Sequence, residues 1–148
     1  MNQQTNTPIG FQNFIYEKKV KVDTSKVNAF WEKLNLRETF VDAQFFPFKV
    51  EFATGLKNGN FETGELNIHH GPLLSVHGLI GDISENYRDL NYFYGSYALS
   101  FRLVRPTRLE FFREEDGIRL KLHAFVKPWF IPLWRFGNNF FWNFFNVL

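Results

Sequence analysis

The sequence predicts an α+β domain made of a run of antiparallel strands and closed by a long C-terminal helix. Two patterns support this prediction. Several segments between Asn13 and Val126 alternate apolar and polar residues with the period of two that is typical of half-buried strands. After Pro128 the spacing becomes helical and the residues become strongly aromatic. Because the connections between strands are short, consecutive strands are expected to pair as hairpins.

Composition and length indicate a single globular domain. The 148 residues are 45% hydrophobic and 22% charged, which is an ordinary balance for a folded chain. We predict a polar lead-in over residues 1–12 and one domain over residues 13–148. The absence of cysteine excludes disulfides and thiolate chemistry, and the lead-in lacks the apolar run of a secretory signal. The predicted location is therefore the cytoplasm.

The distribution of charged and polar residues argues against nucleic-acid binding and against a transmembrane segment. Seventeen basic and 15 acidic residues give a net charge of +2, without long blocks of one sign that would bind nucleic acid. The apolar segment Trp129–Leu148 contains Pro132, Arg135, Gly137 and several asparagines, which the centre of a bilayer would penalise. We predict no nucleic-acid binding and no transmembrane segment.

The first strand and the first helix are predicted from residues 13–34. Lys18 interrupts the apolar face of the strand, which consists of Phe14, Tyr16, Val20 and Val22. A helix follows because Asp23-Thr24-Ser25 offers capping oxygens before apolar residues at helical spacing, namely Val27, Phe30, Trp31 and Leu34. A second short helix over Asn35–Phe46 remains open at this stage.

Further strands are predicted up to Leu103. A hairpin turn at Lys57-Asn58-Gly59-Asn60 is expected to pair the first two of them. Gly81-Asp82 is predicted to break the third strand, and Arg105-Pro106-Thr107 to turn the chain after the last. The predicted segments are Phe48–Phe52, the residues through Leu66 and Ile68, Leu74–Ile80, Tyr87–Tyr94 and Tyr97–Leu103.

The most clearly specified hairpin lies around Asp116-Gly117. With these residues as the turn, Phe111 is opposite Leu122 and Glu110 is opposite His123, so both apolar and charged residues find matching partners. This pattern directs one apolar set towards the core: Leu109, Phe111, Leu120, Leu122, Ala124 and Val126.

The C-terminal helix is predicted to begin near Pro132 and to run to about Leu148. Its polar residues form one narrow stripe, made of Arg135, Asn139, Asn143 and Asn146. The remaining aromatic surface exceeds what packing on a sheet requires. It either fills a dense core or faces a second surface.

Three segments carry a resemblance to a known superfamily. They are the opening strand into Val27-Asn28-Ala29-Phe30-Trp31, the hairpin around Glu115-Asp116-Gly117, and Lys127-Pro128 before the last helix. In this order they resemble the START-like or helix-grip superfamily, which includes polyketide cyclase-like and pollen-allergen-like proteins. The resemblance implies a curved sheet of about six or seven strands that grips the C-terminal helix, with one or two short helices after the first strand. It also implies a cavity for lipids or other hydrophobic molecules. The resemblance assigns no catalytic residue to this chain.

No motif assigns an enzymatic reaction. The nucleophile elbow, phosphate-binding loop, dinucleotide-binding and zinc-protease motifs are absent from the sequence. Adjacent residues of a strand point to opposite faces, so His69 and His70 are not expected to share a metal ion. We predict no metal site and no cofactor.

Two polar residues are candidates for contact with a ligand. If Leu66 and Ile68 face inward, His70 faces inward with them, and the alternative is a histidine bonded to a nearby group. Lys18 on an apolar face needs a protein partner, an exit to water, or an anionic group of a ligand.

Three functions are compatible with these features. We predict binding of a hydrophobic small molecule or lipid in a cavity between the sheet and the C-terminal helix. One alternative is an interaction protein whose aromatic helix contacts a second copy, a partner or a membrane surface. Another is a small cyclase-like or hydrolase-like enzyme in the same cavity. The predicted ligand-binding residues are Lys18, His70, Phe101, Phe111, Leu120, Leu122, Phe140, Phe141 and Phe144.

Overall fold

The computed structural model describes residues 6–34, 49–52, 61–71, 74–96 and 102–145. Short 3-10 turns at Thr24–Lys26 and Pro128–Phe130 precede the two helices found within these residues. The helices and strands are β1 (Gln12–Lys21), α1 (Val27–Lys33), β2 (Lys49–Phe52), β3 (Leu66–Gly71), β4 (Leu74–Ile83), β5 (Tyr87–Ser96), β6 (Val104–Glu114), β7 (Gly117–Val126) and α2 (Ile131–Phe145).

The seven strands form one antiparallel sheet in the order β1-β7-β6-β5-β4-β3-β2. Consecutive strands from β2 to β7 are neighbours, and β1 closes the series by pairing with β7. This arrangement confirms the predicted α+β architecture with its curved sheet and C-terminal helix. The second helix predicted over residues 35–46, the turn at residues 57–60 and residues 97–101 lie outside the described residues.

The predicted break at Gly81-Asp82 is wrong, because both residues belong to β4. The pairing of β4 with β5 shifts between Ile80 and Ile83, which is typical of a β-bulge. Glycine is required at this bulge, since a Cβ at position 81 would lie 2.1 Å from Oδ1 of Asp89. The residue that suggested a chain break therefore permits a close contact inside the sheet.

The predicted turn at Arg105-Pro106-Thr107 is also wrong. These residues lie in β6, and Pro106 is opposite Ala124 of β7. The register shifts between Pro106 and Arg108, so the proline occupies an irregular position where a missing N–H can be tolerated in an inner strand. Leu103 is in a turn that precedes β6.

The β6–β7 hairpin turns one residue earlier than predicted. Glu114 is opposite Gly117, and Phe111 is opposite Leu120 instead of Leu122. This correction moves each partner by two residues, and a two-residue shift leaves every side chain on its own face. The set predicted to face the core is therefore correct, although the predicted register is wrong.

The core lies between α2 and one face of the sheet, which we call the inner face. Its largest cluster of buried residues joins the middle of the sheet to the helix through Tyr16, Ile80, Leu90, Leu109, Leu120, Leu122 and Trp142. A second cluster forms where α1 packs on β7 through Trp31, Leu34 and Ile118. Arg88 of β5 stacks on Trp31, with its guanidinium carbon 4.2 Å from the ring centroid.

The polar stripe of α2 faces β1. Alternate residues of a strand are about 6.6 Å apart and every fourth residue of a helix is about 6 Å along the axis, so the two rows can match step for step. The Tyr16 hydroxyl donates a hydrogen bond to Asn139 Oδ1 at 2.7 Å. Three pairs form in this way: Phe14 with Arg135, Tyr16 with Asn139, and Lys18 with Asn143.

Tyr16→Phe is expected to lower the free energy of unfolding by about 1 kcal/mol, because it removes one hydrogen bond between β1 and α2 and leaves the ring in the core. Urea unfolding of the single variants and of the double variant with Asn139→Ala measures the effect. The double variant should lose less free energy of unfolding than the sum of the losses in the two single variants. Additive effects would show that the pair does not hold the helix.

Candidate functional site

Most predicted ligand-binding residues lie where the sequence placed them. Phe111, Leu120 and Leu122 are on the inner face, and Phe141 of α2 packs against the same cluster. Phe144 belongs to the last turn of α2, and Phe101 lies outside the described residues. These placements concern packing and do not test contact with a ligand.

Phe140 is an exception. It is 51% exposed, whereas Trp142 is buried against the sheet. Residues two positions apart in a helix are separated by about 200° around its axis. Phe140 therefore points away from the core that Trp142 enters. The expectation that Phe140 lines the inner space is wrong.

Lys18 lies on the inner face and has a protein partner. Its Nζ donates a hydrogen bond to Asn143 Oδ1 of α2. Burial lowers the pKa of Lys18 below its ordinary value, because the charged form is partly desolvated. Of the three possibilities raised by the sequence, the structure provides the protein partner.

His70 lies on the outer face, so the expectation that it faces inward is wrong. The inner face continues from Leu90 to its partner Ile80, then to Gly78 and across to Asn67 on β3. His70 is three residues beyond Asn67 and therefore has the opposite orientation. The reasoning failed because Leu66 and Ile68 also face outward.

A row of three side chains on the outer face has the composition of a hydrolytic triad. His70 Nε2 lies 3.0 Å from Glu51 Oε2, and His70 Nδ1 lies 3.4 Å from the Ser75 hydroxyl oxygen. Ser75 is buried, and the contact with His70 is long for a nucleophile and its base. A substrate could not reach this hydroxyl, so we assign the row a structural role.

The inner face of β3 and β5 carries three polar side chains, Asn67, His69 and Tyr92, which we call the inner polar group. Their faces follow from the pairing of Asn67 with Gly78, of His69 with Val76 and of Gly78 with Tyr92. The rings of His69 and Tyr92 meet edge to face with centroids 5.7 Å apart. Both residues lie deep in the protein and still retain some accessible surface.

Burial keeps the histidine and the tyrosine neutral. Desolvation, with a smaller contribution from the neighbouring His70, lowers the pKa of His69 to about 4. Desolvation also raises the pKa of Tyr92 above its ordinary value. At neutral pH the two side chains therefore offer uncharged donors and acceptors instead of a cation or a phenolate.

Asn67 supplies the most direct sign of a missing partner. It is 4% exposed, and its Oδ1 accepts no hydrogen bond from any residue that the structure describes. Leaving a buried acceptor unsatisfied costs about 1–3 kcal/mol. On the facing helix, the buried Nε1 of Trp134 likewise has no acceptor within the described ranges. An acceptor on the sheet and a donor on the helix thus both lack partners.

On four strands of the sheet the inner face carries basic side chains and no acidic ones. Every second residue of β1, β5, β6 and β7 faces inward, and none of these residues is acidic. Lys18, Arg88 and Arg113 face inward, and the two arginines contact Trp31 and Asn28 near α1. These four strands therefore suit a neutral or anionic group, whereas a buried carboxylate, Glu65, lies just before β3 opposite Ile80.

His69 and His70 point to opposite faces of β3, as predicted. Within the described residues, no group of three or more histidine, aspartate or glutamate side chains is placed to hold a metal ion. The described helices also include none with the length and apolarity needed to cross a membrane.

Sequence reasoning missed the inner polar group. Leu66 and Ile68 suggested that the apolar side of β3 faces the core, but Leu79, which is opposite Leu66, is exposed. The signal that could have found the group lies in β4, where Val76 and Ile80 are both buried. Asn67 and His69 share the face of these two residues.

Neither a family model nor a curated protein matches the chain in sequence. In fold, the chain is similar to norcoclaurine synthase from Thalictrum flavum in complex with dopamine and hydroxybenzaldehyde. That likeness has a TM-score of 0.51 at 10% identity and covers 90% of this chain and 81% of that chain. A point mutant of the synthase in complex with a transition-state analogue gives a TM-score of 0.45 at 11% identity, over 82% and 80% of the two chains. At 10% identity the first likeness shows the fold alone, and this fold is the predicted START-like, helix-grip fold.

Proposed function

We propose that the chain binds a hydrophobic small molecule or lipid between the inner face of the sheet and α2. The observation that carries this proposal is the inner polar group, which lies beside the apolar core cluster and includes the buried Oδ1 of Asn67, for which the described residues supply no donor. A few convergent polar groups in apolar surroundings are typical of small-molecule sites. The helix-grip fold supports the same proposal, and the predicted cytoplasmic location is retained with it.

The polar groups also indicate which end of the ligand they would hold. Neutral His69 and Tyr92 can donate to, or accept from, a hydroxyl, carbonyl or carboxyl group, and Asn67 can do both at once. Inward-facing acidic residues are absent from β1, β5, β6 and β7. We therefore propose an apolar molecule with one neutral or anionic polar group.

Native mass spectrometry of freshly purified protein, followed by solvent extraction, tests the proposal. We expect an apolar molecule to accompany the protein, or the emptied protein to take up the fluorescent fatty acid cis-parinaric acid. The double variant Asn67→Leu/Tyr92→Phe should bind this probe about tenfold more weakly, since it loses polar contacts and keeps the apolar surface.

Phe140→Ser is the matched control, because Phe140 is exposed and points away from the inner face. It should leave the affinity for cis-parinaric acid unchanged. A protein that carries no extractable molecule and does not bind the probe would overturn the proposal. If the control and the double variant lost affinity for cis-parinaric acid equally, the probe would bind on the outside of α2 instead.

A further inference from the structure

The side of α2 that faces away from the sheet is strongly apolar. Leu133, Phe136 and Phe140 follow one another at spacings of three and four residues, and Trp129 lies just before the helix. These four side chains are between 51% and 70% exposed. We call them the aromatic stripe. Isolated exposed apolar residues are ordinary, but a row along one helix face is typical of an interaction surface.

The protein holds this stripe outward. Asn138 and Trp142 are buried on the opposite side of α2, and the flank of the helix is bonded to β1 through Asn139 and Asn143. Rotating the helix to hide the stripe would expose Trp142 and break both bonds to β1. The exposure of the stripe therefore belongs to the folded state.

The charges around the stripe have one sign. Residues 117–148 contain no aspartate or glutamate, and neither do residues 6–16 of the N-terminal segment. Lys127 and Arg105 meet beside the start of α2, where both cations lie over the ring of Phe11 at 4.4 and 4.7 Å from its centroid. Arg135 and Arg102 are exposed near the same end of the domain. The acidic residues of the β6–β7 hairpin lie at the opposite end of these strands.

We propose that the aromatic stripe and its basic border dock onto an anionic lipid surface. Tryptophan and phenylalanine enter the interface between head groups and acyl chains, while lysine and arginine at the border reach anionic head groups. Because α2 is too short to span a bilayer, it would lie in the plane of the surface. This proposal uses the outer side of α2 and does not depend on a ligand at the inner face.

A second copy of the chain fits the stripe less well. In a twofold dimer with parallel helices, the basic border of one copy would face the same border of the other, and in an antiparallel one it would meet the far end of the partner's α2, where residues 117–148 offer no acidic side chain. Four side chains also provide much less than the roughly 800 Å² per partner that a stable interface buries. An anionic lipid surface satisfies both the apolar stripe and its positive border.

Co-sedimentation with lipid vesicles tests the proposal on the full chain. The protein should bind vesicles of phosphatidylcholine with phosphatidylserine at least tenfold more strongly than vesicles of phosphatidylcholine alone, and added salt should weaken binding. Phe136→Ser/Phe140→Ser should reduce binding to the mixed vesicles at least tenfold. Lys127→Gln/Arg105→Gln should reduce it by about fivefold for each charge removed.

Leu79→Ser/Phe93→Ser is the matched control, because these apolar residues are also exposed but lie on the sheet. It should bind the mixed vesicles like the unchanged protein, and thermal unfolding should show that all variants are folded. Failure of the unchanged protein to bind mixed vesicles would overturn the proposal. A dimer in analytical ultracentrifugation that Phe136→Ser/Phe140→Ser dissociates, without vesicle binding, would overturn it in favour of self-association.

Discussion

Asp89→Ala is expected to lower the free energy of unfolding by about 2–4 kcal/mol, because it removes the central, buried acceptor of a charged hydrogen-bond network. The Asp89 side chain is only 4% exposed although it lies on the outer face of the sheet. Oδ1 accepts a hydrogen bond from the backbone N–H of Asp82 at 2.7 Å. Oδ2 accepts one from Arg108 Nε at 2.8 Å. Both donors would lose their acceptor in the variant.

The network extends beyond this carboxylate. Arg108 also donates to the Tyr87 hydroxyl at 2.6 Å, and that hydroxyl donates to Glu110 Oε1 at 2.7 Å. Glu110 Oε2 lies 2.6 Å from His123 Nε2. Because Arg108 is partly exposed, water can compensate some of its lost interaction. The cost of Asp89→Ala therefore comes chiefly from the backbone N–H of Asp82, which loses its acceptor, and from the rearranged contacts of Tyr87.

Urea unfolding at neutral pH measures this prediction. Asp89→Asn keeps the shape and one carbonyl acceptor, so it should cost about 1–3 kcal/mol. Glu17→Ala is the control, since Glu17 is an exposed member of ion pairs with Arg119 and Lys121 and should change stability by less than about 1 kcal/mol. Similar effects of Asp89→Ala and Glu17→Ala would show that the outer network is as well hydrated as an ordinary surface pair.

The outer network shows where sequence reasoning reached its limit. The contact between Glu110 and His123 was predicted from their complementary chemistry across a hairpin, although the predicted register was wrong: Glu110 is opposite Lys121 and reaches His123 diagonally. The bond between Asp89 and Asp82 was not, since it depends on the bulge in β4 and on the absence of a Cβ at Gly81. A bulge changes orientation locally and leaves no periodic signal.

The same limit explains the results on the inner face. The inward residues of β6 and β7 were predicted correctly because β7, and β6 from Arg108 onward, alternate regularly on either side of a short turn. β3 was assigned the wrong face because the apolar residues Leu66 and Ile68 lie on its outer side, where Leu79 of β4 accompanies Leu66. Only the pairing with neighbouring strands fixes its orientation, and a single strand cannot reveal that pairing.

For α2, the pattern identified the polar stripe and the aromatic surplus but could not orient them. Both are narrow rows on one helix, and either could face the sheet. The structure turns the polar row towards β1 and the aromatic stripe outward, because Tyr16 and Lys18 provide hydrogen-bonding partners at the spacing of Asn139 and Asn143. Partners on β1 decide the orientation, and they are distant in sequence.

Acidification is expected to destabilise the protein through His69. Its pKa is about 4 in the folded protein and about 6.5 when the ring is in water. Protons therefore bind more tightly to the unfolded chain, so the contribution of neutral His69 is complete above pH 6.5 and is lost as the pH falls towards 4. The full loss is about 3 kcal/mol, at about 1.4 kcal/mol for each tenfold difference in proton affinity.

Because carboxylates and other histidines titrate over the same range, the comparison between two proteins isolates His69. His69→Gln has no titrating ring, so its stability should fall less steeply between pH 7 and pH 4 than that of the unchanged protein, by about 2–3 kcal/mol in urea unfolding. His123→Gln is the control, since His123 lies on the outer face beside Glu110. NMR titration of the His69 ring gives an independent measurement. A ring that titrates near pH 6.5 would mean that water reaches it freely, and the inner polar group would then be an open surface and not the end of an enclosed site.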